Sequence, residues 1–174
     1  LFIDSGSGSA WSQPADEGFA FVRCSFTRDT PGMAFDFDNQ VALYECDFTD
    51  GCYPENDSAL VAWFCTFTDQ EGEVFKSSGN SGMYYCLVEG SGDFAGTPIS
   101  VANMIGCIVY WDGSCDHLAR FLTASANCLN NSFLYESNSH TGTADGYGIR
   151  IDDQMLAAFN YVSNAARGID RESN

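Results

Sequence analysis

An all-β solenoid of about seven stacked coils is the fold class this sequence predicts, and three observations predict it. First, five cysteines recur at nearly even spacing: Cys24, Cys46, Cys65, Cys86 and Cys107, at intervals of 22, 19, 21 and 21 residues. Second, each sits in the same local pattern. An apolar residue stands three before it (Phe21, Leu43, Ala62, Met83, Met104), and Phe or Val stands two after it (Phe26, Phe48, Phe67, Val88, Val109). Third, the pattern continues with asparagine in place of cysteine. Asn131 has Phe133 after it and Cys128 before it; Asn160 has Val162 after it and Ala157 before it; these last steps are 24 and 29 residues. Helical repeats run longer, roughly 33 to 47 residues. Leucine-rich repeats share the shorter period, but their leucine and asparagine pattern is missing. The apolar runs are short, rich in Phe, Val, Tyr, Ile and Trp, and separated by Gly, Asp, Asn and Ser, which is strand-and-turn composition. A coil holding two or three such strands stacks on the next at roughly 4.8 Å through ordinary strand pairing. The result is a parallel β-helix with an internal column of Cys and Asn and a second internal column two residues on.

The elements follow in order. Gly6, Gly8, Pro14 and Gly18 place turns or a loop before a strand from Phe19 to Cys24. Coil two alternates from Gly32 to Phe37, turns at Asp38 to Gln40, and forms a second strand from Val41 to Tyr44. Coil three opens with a loop from Gly51 to Asp57. Coil four uses Glu73 to Phe75 and then Gly79 to Gly82. Coil five uses Pro98 to Val101, coil six Leu118 to Leu122, and coil seven Ile149 and Ile151. Loops are expected after the ladder strand, at 50–57, 89–96, 110–116 and 136–146, projecting from one side where solenoids carry variable surface. No segment reads as an interdomain linker, so residues 1–174 form one domain. The run Leu1 to Asp4 resembles the start of a coil, and Gly168 to Asp170 the opening strand of another. Repeat stacks normally carry caps, so a piece of a larger chain or assembly is expected.

These features resemble the right-handed parallel β-helix of the pectin-lyase-like superfamily. In that family an asparagine ladder often occupies a sharp turn, and Asn131 and Asn160 match it through Asn131 to Phe133 and Asn160 to Val162. Gly148 to Ile151, Phe159 to Asn164 and Arg167 to Ile169 are also similar to the family's coil pattern. The five cysteines depart from it. Asn suits the left-handed backbone of such turns and bonds to the next coil, whereas Cys is a small apolar filler. The turn is therefore expected to differ in the first five coils.

The chain carries 24 Asp and Glu against 7 Lys and Arg, a formal charge of −17. That excludes nucleic acid as a partner bound through phosphates and makes an anionic membrane surface a poor one. No apolar run is long enough to span a membrane, so no membrane insertion is expected. The eight cysteines are read as buried free thiols. Side chains stacked on adjacent coils point the same way, which is poor disulfide geometry, and Cys52 and Cys115 sit in loops about three coils apart, roughly 14 Å. A reducing compartment of folding follows. Zinc is not indicated, for there is no CxxC, and His117 and His140 are read as solvated residues in or beside loops.

Polysaccharide lyases of the resembled superfamily use clustered carboxylates to hold calcium and an arginine or lysine as base. The candidates are Asp36 and Asp38, which alternate on one strand and face one side, with Glu73 from the next coil as the third carboxylate; Glu71, Asp152, Asp153, Arg120 and Arg150 complete the set. Calcium takes six to eight oxygens, so these are also read as solubilising surface carboxylates. No catalytic motif is intact and no catalytic residue is assigned; no cofactor is implied, and calcium is the one candidate cation. Aromatic faces stack on sugar rings, and Trp11, Tyr53, Trp111, Tyr135 and Tyr147, in or next to loops, are the carbohydrate-binding candidates. They also suit packing under their own loops.

The expected function is a non-enzymatic structural or binding module of a larger assembly. By resemblance it is a virion appendage, a capsid decoration protein or a tailspike-like part with a glycan-binding surface. That implies a homo-oligomer, with a trimer favoured, other assembly proteins as partners, and a virion surface or other extracellular assembly reached after folding in a reducing cytoplasm. The alternative is a polysaccharide-degrading enzyme, a lyase or glycoside hydrolase of the same superfamily. A secreted adhesin fits eight unpaired cysteines poorly.

Overall fold

A computed structural model describes residues 2–4, 18–37, 39–77, 79–113, 115–121, 126–135, 147–151, 155–163 and 167–171. Trp11, Asp38, His140, Asp152 and Asp153 lie outside the described residues, as do the side chains of Asp36, Tyr135 and Tyr147. The described elements are β-strands arranged in three parallel sheets of eight, seven and seven strands. The class is the expected one, a parallel β-solenoid.

Each coil runs through the three sheets in turn. The approach sheet leads to the ladder and comprises Phe19–Val22, Val41–Tyr44, Leu60–Trp63, Gly82–Tyr84, Asn103–Ile105, Ala126–Leu129 and Met155–Ala158. The exit sheet follows the ladder; its strands are Phe2–Asp4, Ser25–Thr27, Asp47–Phe48, Thr66–Gln70, Leu87–Ser91, Ile108–Asp112, Ser132–Tyr135 and Tyr161–Ser163. The return sheet closes the coil with Gly32–Phe37, Cys52–Asn56, Phe75–Ser77, Ile99–Val101, His117–Phe121, Tyr147–Ile151 and Arg167–Arg171. Strands run into several expected loops. Cys52 opens a return strand and is buried, rather than lying in a loop, and the exit strands Leu87–Ser91 and Ile108–Asp112 run into the loops expected at 89–96 and 110–116. His117, read as solvated, begins a return strand and is 7% exposed. Pairing to the strand before it is what buries a chain segment that looks polar by composition.

The ladder corner departs from the expectation that cysteine coils turn differently from asparagine coils. In every coil the left-handed residue is the one before the ladder: Arg23, Glu45, Phe64, Tyr85, Asn130 and Phe159 have φ between 51° and 58°, and Gly106 has 68°. The corner is thus one conformation repeated, costing roughly 1 kcal/mol at each non-glycine residue. Its backbone groups are paired between coils. The left-handed residue donates its N–H upward, as from Phe64 to the Tyr84 carbonyl (3.0 Å) and from Asn130 to the Ala158 carbonyl (3.1 Å). The residue after the ladder donates downward, as from Leu87 to the Cys65 carbonyl at 3.0 Å.

Two groups per coil remain, the ladder N–H and the carbonyl three residues before it, and the ladder side chain of the next coil serves both. Asn131 accepts from the Cys107 N–H through Oδ1 (2.9 Å) and donates through Nδ2 to the Met104 carbonyl (2.9 Å). Cysteine performs the same two tasks. The Cys107 sulfur accepts from the Cys86 N–H (3.4 Å) and its thiol donates to the Met83 carbonyl (3.4 Å). Cys46 and Cys86 likewise donate to the Phe21 and Ala62 carbonyls at 3.4 and 3.6 Å. A thiol is a weak donor and a weak acceptor, but it is both, and that is why it can stand where asparagine stands.

Inside, residues two after the ladder stack. The rings of Phe26 and Phe48 lie 4.6 Å apart at 7°, and those of Phe48 and Phe67 5.1 Å apart at 10°. Phe35 meets Phe21 and Phe26 from the return sheet at 5.3 and 5.7 Å. Phe48 is fully buried between two parallel rings, so Phe48→Ala is expected to lower unfolding free energy by about 3–5 kcal/mol. Urea denaturation followed by circular dichroism checks it; a loss below about 1 kcal/mol would mean that the ring column does not carry the core.

Candidate functional site

The outer face of the approach sheet is chemically unlike the rest of the chain. Its seven strands contain no Asp, Glu, Lys or Arg, in a chain with 31 such residues by the counts of 24 and 7. Strand alternation sends the residues three and five before the ladder inward and those two and four before it outward. Parallel pairing in register then lines the outward residues into two columns. A tall column runs Val22, Tyr44, Trp63, Tyr84, Ile105 and Leu129 and ends at the small Ala158. Beside it a short column runs Ala20, Ala42, Val61, Gly82, Asn103 and Asn127 and ends at the large, exposed Leu156. The left-handed corner adds a third column, Arg23, Glu45, Phe64, Tyr85, Gly106, Asn130 and Phe159, in which three rings are exposed: Phe64 at 49%, Tyr85 at 59% and Phe159 at 85%.

The rings are ordered by the coil repeat. Trp63 and Tyr84 lie 5.7 Å apart at 16°, Phe64 and Tyr85 lie 5.5 Å apart at 11°, and Tyr44 meets Phe64 edge-on at 5.6 Å. The Tyr84 ring reclines over Gly82, where an added Cβ would lie 2.5 Å from it. Asn127 donates to Asn103 at 2.8 Å, a short polar ladder in the short column. At the corner Arg23 and Glu45 form an exposed ion pair at 2.5 Å, worth little in stability.

Of the aromatics singled out from the sequence, the described ones lie elsewhere. Trp111 is fully buried rather than exposed in a loop, and its indole N–H donates to the Gly92 carbonyl at 3.1 Å. The exit strand runs on to Asp112, and Gly90 in the coil before leaves the room that the indole ring fills. Its face is not open to a sugar. Tyr53 is half-buried on the return sheet. Burial first, and then a hydrogen bond with Glu73, hold its hydroxyl well above the usual phenol range. Tyr135 pairs in register with Trp111, and Tyr147 with His117.

The three carboxylates proposed for calcium are only partly placed. Asp36 stands in register with Glu55, and Glu55 with Lys76. Glu73 is bound by Lys76 at 3.4 Å, and Lys76 also reaches Glu55 at 2.9 Å. A cation at Glu73 would have to displace that ammonium. Among the described residues no cluster of three or more His, Cys, Asp or Glu has metal-binding geometry. Arg120 and Arg150 are in-register neighbours on the return sheet.

A second feature contains only one residue singled out from the sequence, Glu71. Arg28, Asp29, Pro31, Asp50, Asp69 and Glu71 line an open cleft of about 430 Å³ where the exit sheet turns toward the return sheet. Asp50 and Asp69 each stand four residues after a ladder cysteine and share φ of 58° and 54°. That common offset was the signal available. Thr27 donates to Asp50 at 2.8 Å, and Arg28 donates to the Met33 carbonyl.

No protein-family model, no curated protein and no solved structure matches this chain. No described helix is long and apolar enough to cross a membrane.

All eight cysteines are buried. Burial pushes the Cys52 and Cys128 thiols up to about 12. The Cys86 thiol also moves up to about 12, first through its hydrogen bond with Cys107 and then through burial. Thiols in the unfolded chain ionise near 8.5. The neutral, folded form therefore contributes full stability below about pH 8.5, and that contribution drains away as pH rises toward 12. Stability is expected to fall by about 1 kcal/mol for each of these three raised thiols per pH unit above about 9, whereas Cys107, held below the ordinary thiol range by its hydrogen bond with Cys86, does not add to the loss. Denaturation at pH 8 and pH 10 checks this, alongside thiol-reagent titration. Unchanged stability, or rapid labelling of the folded chain at pH 8, would contradict the burial of the column.

Proposed function

We propose that this chain is a non-enzymatic structural and binding module of a larger assembly, in the manner of a virion appendage, capsid decoration protein or tailspike-like part built on a right-handed, pectin-lyase-like β-helix. One observation carries the reading: an uncharged, ring-lined sheet face on a chain of net charge −17. Contiguous apolar surface on a soluble body marks an interaction site, and its amino acids suit association with another apolar face or stacking on uncharged sugar rings. The buried free thiols support folding in a reducing compartment before the assembly reaches its surface location. Self-association and contact with other assembly proteins are the partners this reading requires.

The acidic cleft favours a second reading, a polysaccharide lyase or glycosidase. Asp50, Asp69 and Glu71 beside Arg28 supply paired carboxylates and a cation within one cleft; glycosidases hold two carboxyls roughly 5 to 10 Å apart. Incubation with acidic and neutral polysaccharides, with and without calcium, separates the readings. The module reading expects no new reducing ends and no unsaturated sugar. Release of either that is lost in Asp69→Asn or Arg28→Ala would replace it with the enzyme.

A further inference from the structure

From the approach-sheet face we infer that two copies of this chain pair through it side by side, with their stacks parallel and their like ends together. The inference rests on the assembly reading and names its first contact. Three observations lead to it.

The first is charge. Away from this face the sheets carry acidic columns and pairs: Asp36 and Glu55 on the return sheet, Asp47, Asp50, Asp69 and Glu89 on and beside the exit sheet. Two copies meeting on those faces would oppose like charges, which costs several kcal/mol. Among the described strands the approach sheet is the one that brings no carboxylate to the contact, and the corner column beside it brings one, Glu45, which is paired with Arg23. A differently charged partner gains nothing from it, whereas a second copy avoids its own repulsion there.

The second is size. Seven strands spaced at about 4.8 Å and four residues wide at about 3.3 Å give a face about 29 by 13 Å. With the corner column added, each copy offers about 500 Å², so a pair buries about 1,000 Å², the lower limit for a specific interface. The pair is expected to be reversible.

The third is relief. The tall column and the short column lie side by side along the stack. A two-fold axis parallel to the stack places the tall column of one copy against the short column of the other, twice over, which is the self-complementarity an isologous contact needs. A two-fold axis lying across the stack sets tall against tall and short against short. In the middle the Tyr84 ring levels the face by lying over Gly82, and in the last coil the order reverses, Leu156 standing in the short column and Ala158 in the tall one, so the tall-against-short fit as described is greatest toward Ala20 and Ala42 at one end. The geometry favours a pair over the trimer that the β-helix resemblance implies, because a three-fold contact uses two different patches.

Sedimentation velocity across protein concentration tests the pair, on the chain as it stands, on Tyr44→Asp, and on the control Ser91→Asp, an exposed exit-sheet position. The expected result is a dimer that weakens more than about hundredfold in Tyr44→Asp, which buries an unpaired carboxylate in each half of the contact, and is unchanged in Ser91→Asp. Circular dichroism melts confirm that both variants fold. Nitroxides on Thr30→Cys and Asp112→Cys, exposed sites near the same corner, read the orientation. The native thiols are buried and leave the label to the new one. Parallel stacks give like-with-like distances shorter than the Thr30-to-Asp112 distance between copies; the reverse order overturns the parallel arrangement. A trimer dissolved by Tyr44→Asp overturns the pair and keeps the assembly reading. A monomer indifferent to Tyr44→Asp overturns both.

Discussion

Cys65→Arg is expected to yield no folded chain. Cys65 is 1% exposed and stands in the ladder between Cys46 and Cys86. Its column neighbours are thiols, and the residues lining that part of the core are Leu60, Ala62, Phe67 and Met83. None can balance a guanidinium. An uncompensated buried charge costs several kcal/mol even after relaxation, and the side chain is far larger than the space between coils allows. A domain of this size holds about 5–15 kcal/mol in all. Expression as insoluble protein, or a spectrum without a cooperative melt, is the expected readout. Cys65→Asn is the companion, since asparagine fills the same place in the later coils, and it is expected to fold with a melt near that of the parent. A cooperative melt for Cys65→Arg would mean that the side chain escapes the column and that the ladder is not a core element.

Asn131→Ala is the second large effect. Asn131 is 1% exposed. Its side chain serves the Cys107 N–H and the Met104 carbonyl, and its Nδ2 also lies 3.1 Å from Asn160 Oδ1 and 3.4 Å from the Cys128 sulfur. Alanine leaves a donor and an acceptor buried without partners, each costing about 1–3 kcal/mol. The total expected loss is about 2–6 kcal/mol, read as a shift of the urea midpoint without a change of slope. Asn131→Cys is expected to recover a large part of it, because cysteine makes both contacts in the coils before. Equal losses for Ala and Cys would show that the thiol only fills space. A loss under about 0.5 kcal/mol for Ala would remove the ladder from the set of forces holding the coils.

The ladder and its inward neighbours were legible because the period is a covalent fact: residues at one offset must share one environment when coils repeat. The corner was not. Its left-handed position is held by Arg, Glu, Phe, Tyr, Gly, Asn and Phe in succession, so no residue type announces it. Asn131 drew attention to the ladder position, one residue too late. Trp111 was misplaced for a related reason. A tryptophan between Tyr110 and Asp112 reads as a loop residue, and only the pairing to Gly90 across the sheet shows that the strand continues and the ring turns inward. The uncharged face went unread because attention fell on what loops contain and not on what strands omit. The omission is plain once the approach strands are set one above another.

The interchange of thiol and amide in one column bears on the history of any single molecule. While the coils are stacked, an oxidant meets no sulfur it can reach. Once they are separated, eight reactive thiols are freed on one flexible chain, and many wrong cross-links compete with a single route back. Unfolding in air is thus a ratchet: the molecule is durable for as long as it has never been opened, and the yield of recovery depends on the reductant present at that moment rather than on the stability of the stack.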